Sequence, residues 1–289
     1  MIEHARKETV KPLRLKTLRQ SRLLRSKKAF AIPVTYMILF ASLIALISLT
    51  YSFAIVKIST RGATLKASVA KQNMRILDDA VHSVAWSFGA SEVIYMDDCG
   101  GAFKTATAAK NLVLNLTDER TVNSLVFNSP VGEAFYELEP SESSDYGLYM
   151  RGDDRAIINR TSSSMTQLYV TAGASTQNVV LCYRPLATVA YVGATGNKPL
   201  NVVRVNIINF NCSQSLTLRE KFYLRATSTN VATVTNQYLF NGTISSLALK
   251  ATYDGRSTTV WLPLASNAEG AVVDLEVAVC SVKLQQVEG

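Results

Sequence analysis

A long uncharged apolar stretch is the feature that most constrains the fold of this 289-residue chain. Residues 29–56 contain no Asp, Glu, Lys, Arg or His, whereas residues 1–28 contain ten of the thirty Lys and Arg residues. As an α-helix, the apolar stretch extends about 42 Å, which exceeds the roughly 30 Å hydrocarbon core of a bilayer. It is too long for the apolar core of a secretory signal peptide. The sequence therefore predicts one membrane-spanning helix.

The distribution of charge predicts the orientation of this helix. Residues 1–28 have a net charge of +8, because only Glu3 and Glu8 offset the basic residues, and residues 29–289 hold twenty basic and twenty acidic side chains. Basic residues beside a membrane helix are retained on the cytoplasmic side. We expect a single-pass protein of the cell membrane, in contact with the lipid bilayer, with a cytoplasmic N-terminus and an extracellular C-terminal domain. Because the pI near 9.3 comes from the tail, no nucleic-acid partner is expected.

The helical pattern continues beyond the apolar stretch. From Lys57 to about Phe88, apolar residues recur at helical spacing and polar residues fill much of the remainder. Gly62 is the position at which a bend is expected. We predict one helix over residues 30–90 that is lipid-embedded in its first half and packed on a domain in its second. Trp86 and Phe88 are expected to form a core contact between the helix and a sheet.

A short motif precedes the apolar stretch. Lys27, Lys28, Ala29 and Phe30 resemble the processing site of a class III (prepilin-type) signal peptide, in which a basic pair and a small residue precede the cut. The resemblance places the cut between Ala29 and Phe30. The alternative interpretation is an uncleaved signal anchor, in which the two lysines stop at the lipid headgroups.

The residues after this site are similar to archaeal type IV pilins over about residues 25–90. Pro33 stands near the mature start, as in archaeal pilins, whereas Val34 occupies the position at which bacterial type IV pilins usually have Glu. The resemblance implies a helical spine for the head domain. It also implies a prepilin-type peptidase and other pilin-like subunits as partners.

The remainder of the chain has the pattern of strands and turns, with short β-branched and apolar runs between polar and Gly-containing clusters. Predicted strands cover residues 92–96, 111–116, 133–138, 167–171, 178–183, 188–192, 202–210, 220–226, 232–240, 245–252, 258–262 and 272–283. We predict an α+β fold in which the long N-terminal helix precedes a mainly antiparallel, β-sandwich-like head. The domains are a basic leader or tail (1–29), a spine helix (30–90) and an extracellular head (91–289), built as one sandwich or as two packed sheets.

All four cysteines follow the membrane helix, in keeping with an oxidising location. Cys99, Cys182, Cys212 and Cys280 are even in number and favour two disulfides, of which three pairings are possible. A zinc site is the rival interpretation, but the chain has no C-x-x-C pair and no histidine beside these cysteines.

Four N-glycosylation sequons also follow the membrane helix. Their asparagines are Asn115, Asn159, Asn211 and Asn241. Because such sequons are glycosylated only outside the cytoplasm, their location agrees with the orientation that the charges predict and makes a glycoprotein the expectation.

The head has little of the chemistry that catalysis needs. The only histidines are His4 and His82, which excludes Ser-His-Asp and Cys-His systems from residues 91–289. The carboxylate pairs Asp97-Asp98, Asp153-Asp154 and Glu137/Glu139 are more typical of solvated edges and turns than of acid–base sites. We expect no enzymatic activity, no cofactor and no metal.

The sequence thus favours a membrane-anchored, extracellularly exposed, pilin-like structural or adhesive protein, such as a minor filament subunit. The alternative is a monomeric, signal-anchored binding module that recognises a glycan or another surface ligand. The tripeptide Arg151-Gly152-Asp153 occurs in some adhesive proteins, but three residues recur by chance and imply no partner.

Overall fold

A computed structural model describes residues 15–118, 123–140, 146–173, 175–211 and 213–288, with only the backbone for residues 15–31. Helix α1 spans Leu15–Val84. The strands are β1 (Ser91–Met96), β2 (Ala102–Thr117), β3 (Asn123–Leu138), β4 (Tyr149–Arg151), β5 (Thr166–Ala172), β6 (Gln177–Tyr183), β7 (Leu186–Thr195), β8 (Lys198–Asn209), β9 (Thr217–Arg219), β10 (Phe222–Phe240), β11 (Ser246–Tyr253), β12 (Arg256–Pro263) and β13 (Ala271–Val287). The predicted α+β class is confirmed.

Helix α1 contributes to two compact units, one ending at Ser59 and the other beginning at Thr60. In the first unit, every side chain from residue 32 to residue 59 is exposed. The most apolar 18-residue window of Ile32–Val84 has a mean hydropathy of 2.2 and is wholly unburied. Among the residues that the structure describes, α1 is the one helix long and apolar enough to cross a membrane.

The part of α1 in the second unit forms one wall of the head's core. The apolar residues of its buried face are Ala67, Ala70, Met74, Leu77, Ala80, Val81 and Val84. Burying Leu, Val and Met side chains stabilises the head by about 1.5–3 kcal/mol each, and the alanines let the helix approach the strands closely. The predicted packing of the helix on a β domain is therefore confirmed.

The predicted core contact of Trp86 and Phe88 is wrong, because these side chains are 41% and 76% exposed. The helix ends at Val84, and the chain then turns at Gly89, whose φ is +79° and whose N–H donates to the Ser228 carbonyl. This turn takes both aromatic rings off the buried face of the helix.

The strands form two sheets that are antiparallel except for the β13–β8 pair. One sheet has the order β1-β10-β13-β8-β7. The other has the order β12-β11-β2-β3-β6-β5-β4, and β9 pairs additionally with β2. Both sheets contribute to a shared core away from the helix, for example through Leu114 on β2 and Val205 on β8. The head is therefore β-sandwich-like, as predicted.

Every predicted strand lies on an observed one, with two differences. Residues 222–226 of the predicted strand 220–226 and all of 232–240 belong to the single strand β10, which has a register shift between Ser228 and Asn230. The strands β4 and β9 were not predicted, because three residues are too few to show alternation.

Candidate functional site

The second sheet curls, so that side chains from strands far apart in its order meet around a cavity of about 590 Å³. Lys110 on β2, Tyr149 on β4 and Tyr169 on β5 line it, together with Tyr253, Asp254 and Arg256 at the β11–β12 turn. The segment after β4 helps to close the cavity, since the Ala156 N–H donates to Thr258 Oγ1 on β12 over 3.0 Å. The cavity therefore lies where the two ends of one sheet approach each other.

Lys110 forms the floor of the cavity. Its Nζ lies 3.0 Å from Glu133 Oε2 and donates to the Tyr169 hydroxyl over 2.8 Å. The same Nζ lies 5.3 Å from the ring centroid of Tyr253, within cation–π range. A register shift in β2 between Ala106 and Lys110 accounts for this placement, because such bulges re-aim a side chain.

Burial and neighbouring groups shift the pKa values of four side chains in the floor. Burial lowers the pKa of Lys110, but the Coulombic attraction of the Cys182 sulfur in its ionised form and of the Glu133 carboxylate outweighs that effect, so the pKa is raised. Burial raises the pKa of Tyr169 to about 12 and that of Tyr253 well above its usual value. Burial likewise raises the pKa of the Cys182 thiol. At neutral pH Lys110 is therefore an ammonium, and the Tyr169 and Tyr253 hydroxyls and the Cys182 thiol are neutral.

Two tyrosines form one wall. Tyr149 and Tyr169 are opposite each other on β4 and β5, with ring centroids 5.1 Å apart and planes inclined by 35°. Burial raises the pKa of Tyr149, and the guanidinium of Arg256 beside it opposes that shift. The two rings present a partly exposed apolar surface next to a cation.

The rim is set by a tight hairpin. Asp254 and Gly255 have φ values of +50° and +77°, as the type I′ turn between antiparallel strands requires. Asp-Gly is a favoured dipeptide for this turn, because both residues tolerate the left-handed region. The turn places the exposed side chains of Asp254 and Arg256 at the mouth of the cavity.

A buried arginine holds the opposite rim. The fully buried Arg184 pairs with Asp153 and donates to the carbonyls of Ser164 and Arg155. Asp153 also accepts from Arg155 Nη2 over 2.7 Å. The hydrogen bonds from Arg155, together with those from Arg184, hold the pKa of Asp153 well below its usual range.

The tripeptide Arg151-Gly152-Asp153 is engaged within the head. Arg151 Nη1 lies 2.5 Å from Asp78 Oδ2 and 2.7 Å from Asp79 Oδ1, both on α1. Its acidic residue, Asp153, is held by the arginines described above. Both charged side chains are therefore committed to intramolecular ion pairs.

The predicted cysteine sites do not come together as disulfides in the part of the chain that the structure describes. Cys99 and Cys182 are buried thiols in different core clusters, and the thiol of Cys280 donates to the Ala85 carbonyl. Cys212 lies outside the described residues. The expectation of two disulfides therefore finds no support among the described residues. The buried thiols serve instead as small core side chains.

The sequon asparagines occupy different parts of the head. Asn159, Asn211 and Asn241 are exposed, whereas Asn115 is half-buried within β2, between β11 and β3. Asn159 donates to the Trp261 carbonyl, and Asn241 accepts from Lys198. Three of the four positions are thus open to modification, and Asn115 is the least accessible.

The predicted processing site Lys27, Lys28, Ala29 and Phe30 lies within the helical backbone of α1, and its side chains lie outside the described part.

The predicted carboxylate pairs do not converge on a common site. Glu137 pairs with Lys104, and Glu139 with Lys66 at 3.9 Å. Asp98 accepts from the Gly100 N–H in a turn. Within the described ranges, no three His, Cys, Asp or Glu side chains converge as a metal site.

No protein-family model, no curated protein and no solved structure matches this chain. Helix α1 and the cavity of the head are therefore the features that bear on its function.

The buried tyrosines predict a loss of stability at alkaline pH. An unfolded tyrosine ionises at about pH 10, whereas burial keeps Tyr169, Tyr183 and Tyr253 protonated in the native state to higher pH. The unfolded state then binds fewer protons than the native state, so the free energy of unfolding falls as pH rises above about 10. Denaturant unfolding from about pH 9 to about pH 11 measures this slope.

Tyr253→Phe should make the alkaline slope shallower, because it removes one of the groups with a raised pKa. Tyr191→Phe, at an exposed tyrosine on β7, is the matched control and should leave the slope as it is. Equal slopes in all three proteins would show that the buried tyrosines do not cause the effect.

Proposed function

We propose that this chain is a membrane-anchored, pilin-like protein with a structural or adhesive role outside the cell, as a subunit of a filament. The observation that carries the proposal is the division of α1 between a wholly exposed apolar segment and a segment that is part of the head's core. A helix of this kind serves both as an anchor and as the spine of a folded domain.

The exposed apolar segment of α1 must be shielded from water. Soluble proteins rarely expose contiguous apolar patches larger than a few hundred Å², and residues 32–56 are apolar on all sides and exposed throughout. Lipid covers such a helix before assembly, and copies of the same helix cover it in a filament core. The basic tail supports a cytoplasmic N-terminus and an extracellular head.

Processing at the predicted site would favour assembly over permanent anchoring. A cut between Ala29 and Phe30 removes all ten basic residues of the tail and leaves twenty basic and twenty acidic side chains. The remaining helix then begins with an uncharged apolar stretch, which packs against copies of itself without burying a charged side chain.

Loss of the basic pair tests this proposal. We expect filaments in material shed from cells that produce the chain, and we expect Lys28→Ala to abolish them because the basic pair precedes the cut. Lys16→Ala removes one positive charge from the same tail, away from the processing site, and should leave filaments intact. Filaments that persist in Lys28→Ala, or that are lost equally in both variants, would contradict processing at Ala29–Phe30.

The cavity favours a second candidate function, a monomeric, signal-anchored module that binds a glycan or another surface ligand. Its tyrosine wall and charged rim are of the kind that ligand sites use, and its volume lies within the range of such sites. In this case the head would bind its ligand in the absence of any filament.

A further inference from the structure

The cavity between β2, β5 and the β11–β12 turn is built more specifically than a surface depression. Its volume of about 590 Å³ lies in the middle of the usual range for small-ligand sites. Its floor is fixed by the ion pair of Lys110 and Glu133, and its far rim by the buried Arg184. Groups held in this way form the site before a ligand arrives, which reduces the entropy lost on binding.

The charges of the cavity do not favour a strongly ionic ligand. Glu133 pairs with Lys110, and Asp153 pairs with Arg155 and Arg184. Asp154, Asp254 and Arg256 complete the set at the mouth, so that four basic and four acidic side chains cancel in net charge. The two carboxylates of the mouth repel a phosphate or sulfate, while Arg256 and Lys110 repel an organic cation. A neutral ligand meets neither penalty.

The polar groups of the mouth include both donors and acceptors. Carboxylates only accept hydrogen bonds and a guanidinium only donates them, so a ligand that satisfies both must itself donate and accept. Hydroxyl groups do both, and one ring can carry several of them, which suits a mouth lined by Asp154, Asp254 and Arg256.

The tyrosine wall requires an apolar face on the same ligand. The inclined rings of Tyr149 and Tyr169 form a surface that packs against C–H groups, and their hydroxyls remain polar at the edge. A pyranose ring combines an apolar C–H face with a circle of hydroxyl groups.

We propose that this cavity binds a neutral saccharide, with one pyranose ring on Tyr149 and Tyr169 and its hydroxyls on Asp154, Asp254 and Arg256. The proposal deepens the second candidate function and rests on the head alone. It does not depend on filament assembly.

Saturation-transfer NMR on the full chain in phosphatidylcholine nanodiscs tests this site. Nanodiscs replace glycoside detergents, whose sugar headgroups would compete. The probes are glucose, galactose, mannose, N-acetylglucosamine, maltose, cellobiose and lactose. We expect at least one of them to receive saturation, most strongly at the C–H protons of one ring face.

Two variants and a control assign the binding to this cavity. Tyr149→Ala should weaken binding about tenfold, because it removes half of the aromatic wall. Asp254→Asn keeps a residue that tolerates the left-handed turn and should weaken binding several-fold by removing a charged acceptor. Tyr191→Ala, at an exposed tyrosine on the other sheet, should bind as the wild type does.

Several results would overturn the proposal. These are the absence of transfer to every probe, unchanged binding in both Tyr149→Ala and Asp254→Asn, and tighter binding of inorganic phosphate or tetramethylammonium than of any saccharide. Lys28→Ala should bind the saccharide normally, so a failure of filament assembly and a failure of this site are distinguishable.

Discussion

Asp78→Ala is expected to lower the free energy of unfolding of the head by about 3 kcal/mol. Asp78 is fully buried on α1, and its Oδ1 accepts from Thr166 Oγ1 and from the Tyr183 hydroxyl over 2.8 Å each. Its Oδ2 accepts from Arg151. The variant leaves these donors without their buried acceptor. The expected loss is at the lower end of the range for a broken buried ion pair, because Arg151 is 36% exposed and is partly rehydrated.

The neighbouring residue offers a matched control. Asp79 also pairs with Arg151, at 2.7 Å, but its side chain is 65% exposed. Asp79→Ala should therefore cost less than about 1 kcal/mol, as is usual for surface ion pairs. Denaturant unfolding of both variants measures the difference. Equal losses would show that the buried network does not join α1 to the strands in the way described.

Gly152→Ala is expected to be destabilising by about 3 kcal/mol. Gly152 has a φ of +74°, and a Cβ at this position would overlap the carbonyl oxygen of Thr166 on β5. The backbone must then move, which disturbs the ion pairs of Arg151 and Asp153 on either side.

Gly147→Ala separates the two contributions to this effect. Gly147 has a φ of +79°, and no atom lies within 4 Å of the position of a Cβ. The substitution carries the cost of the left-handed conformation alone, about 1 kcal/mol. Thermal unfolding should show a much larger loss of stability for Gly152→Ala than for Gly147→Ala. Similar losses would mean that the overlap with Thr166 does not contribute.

The packing of Gly152 also bears on the role of the tripeptide Arg151-Gly152-Asp153. Both of its charged side chains form ion pairs within the head, which leaves them unavailable to an adhesion partner unless the segment unfolds. Its sequence is explained by packing: Gly152 lets the chain pass close to β5, and the two charged residues bind α1 and Arg184.

Much of the fold follows from local pattern. The apolar run and the helical spacing after it predict α1, because such patterns need no knowledge of the rest of the chain. Strand positions were predicted for the same reason, as in β8, where Val203, Val205 and Ile207 alternate with polar residues and are buried. Trp86 and Phe88 were misplaced because the helix ends at Val84, and no Gly or Pro before Gly89 indicates that end.

The cavity could not be predicted in this way. Lys110 meets Tyr169 and Tyr253 only because the sheet curls, and the curl depends on pairings between distant strands. Two local signals are present: a lysine just before the alternating apolar residues of β2, and the Asp254-Gly255 turn. Neither indicates which residues they face.

The cysteines show a further limit of sequence patterns. An even number of cysteines beyond a membrane helix favours disulfides, but Cys99 and Cys182 lie in separate core clusters. Residue counts do not distinguish a buried thiol from a bonded one, since both environments are apolar.

The most direct test of the central claim is the N-terminal mass of the protein isolated from native membranes. Our account predicts that the mature chain begins at Phe30, with the entire basic tail removed. The same measurement on Lys28→Ala should show an uncut chain. A wild-type protein that retains Met1 would contradict the pilin-like account and leave α1 as a permanent anchor.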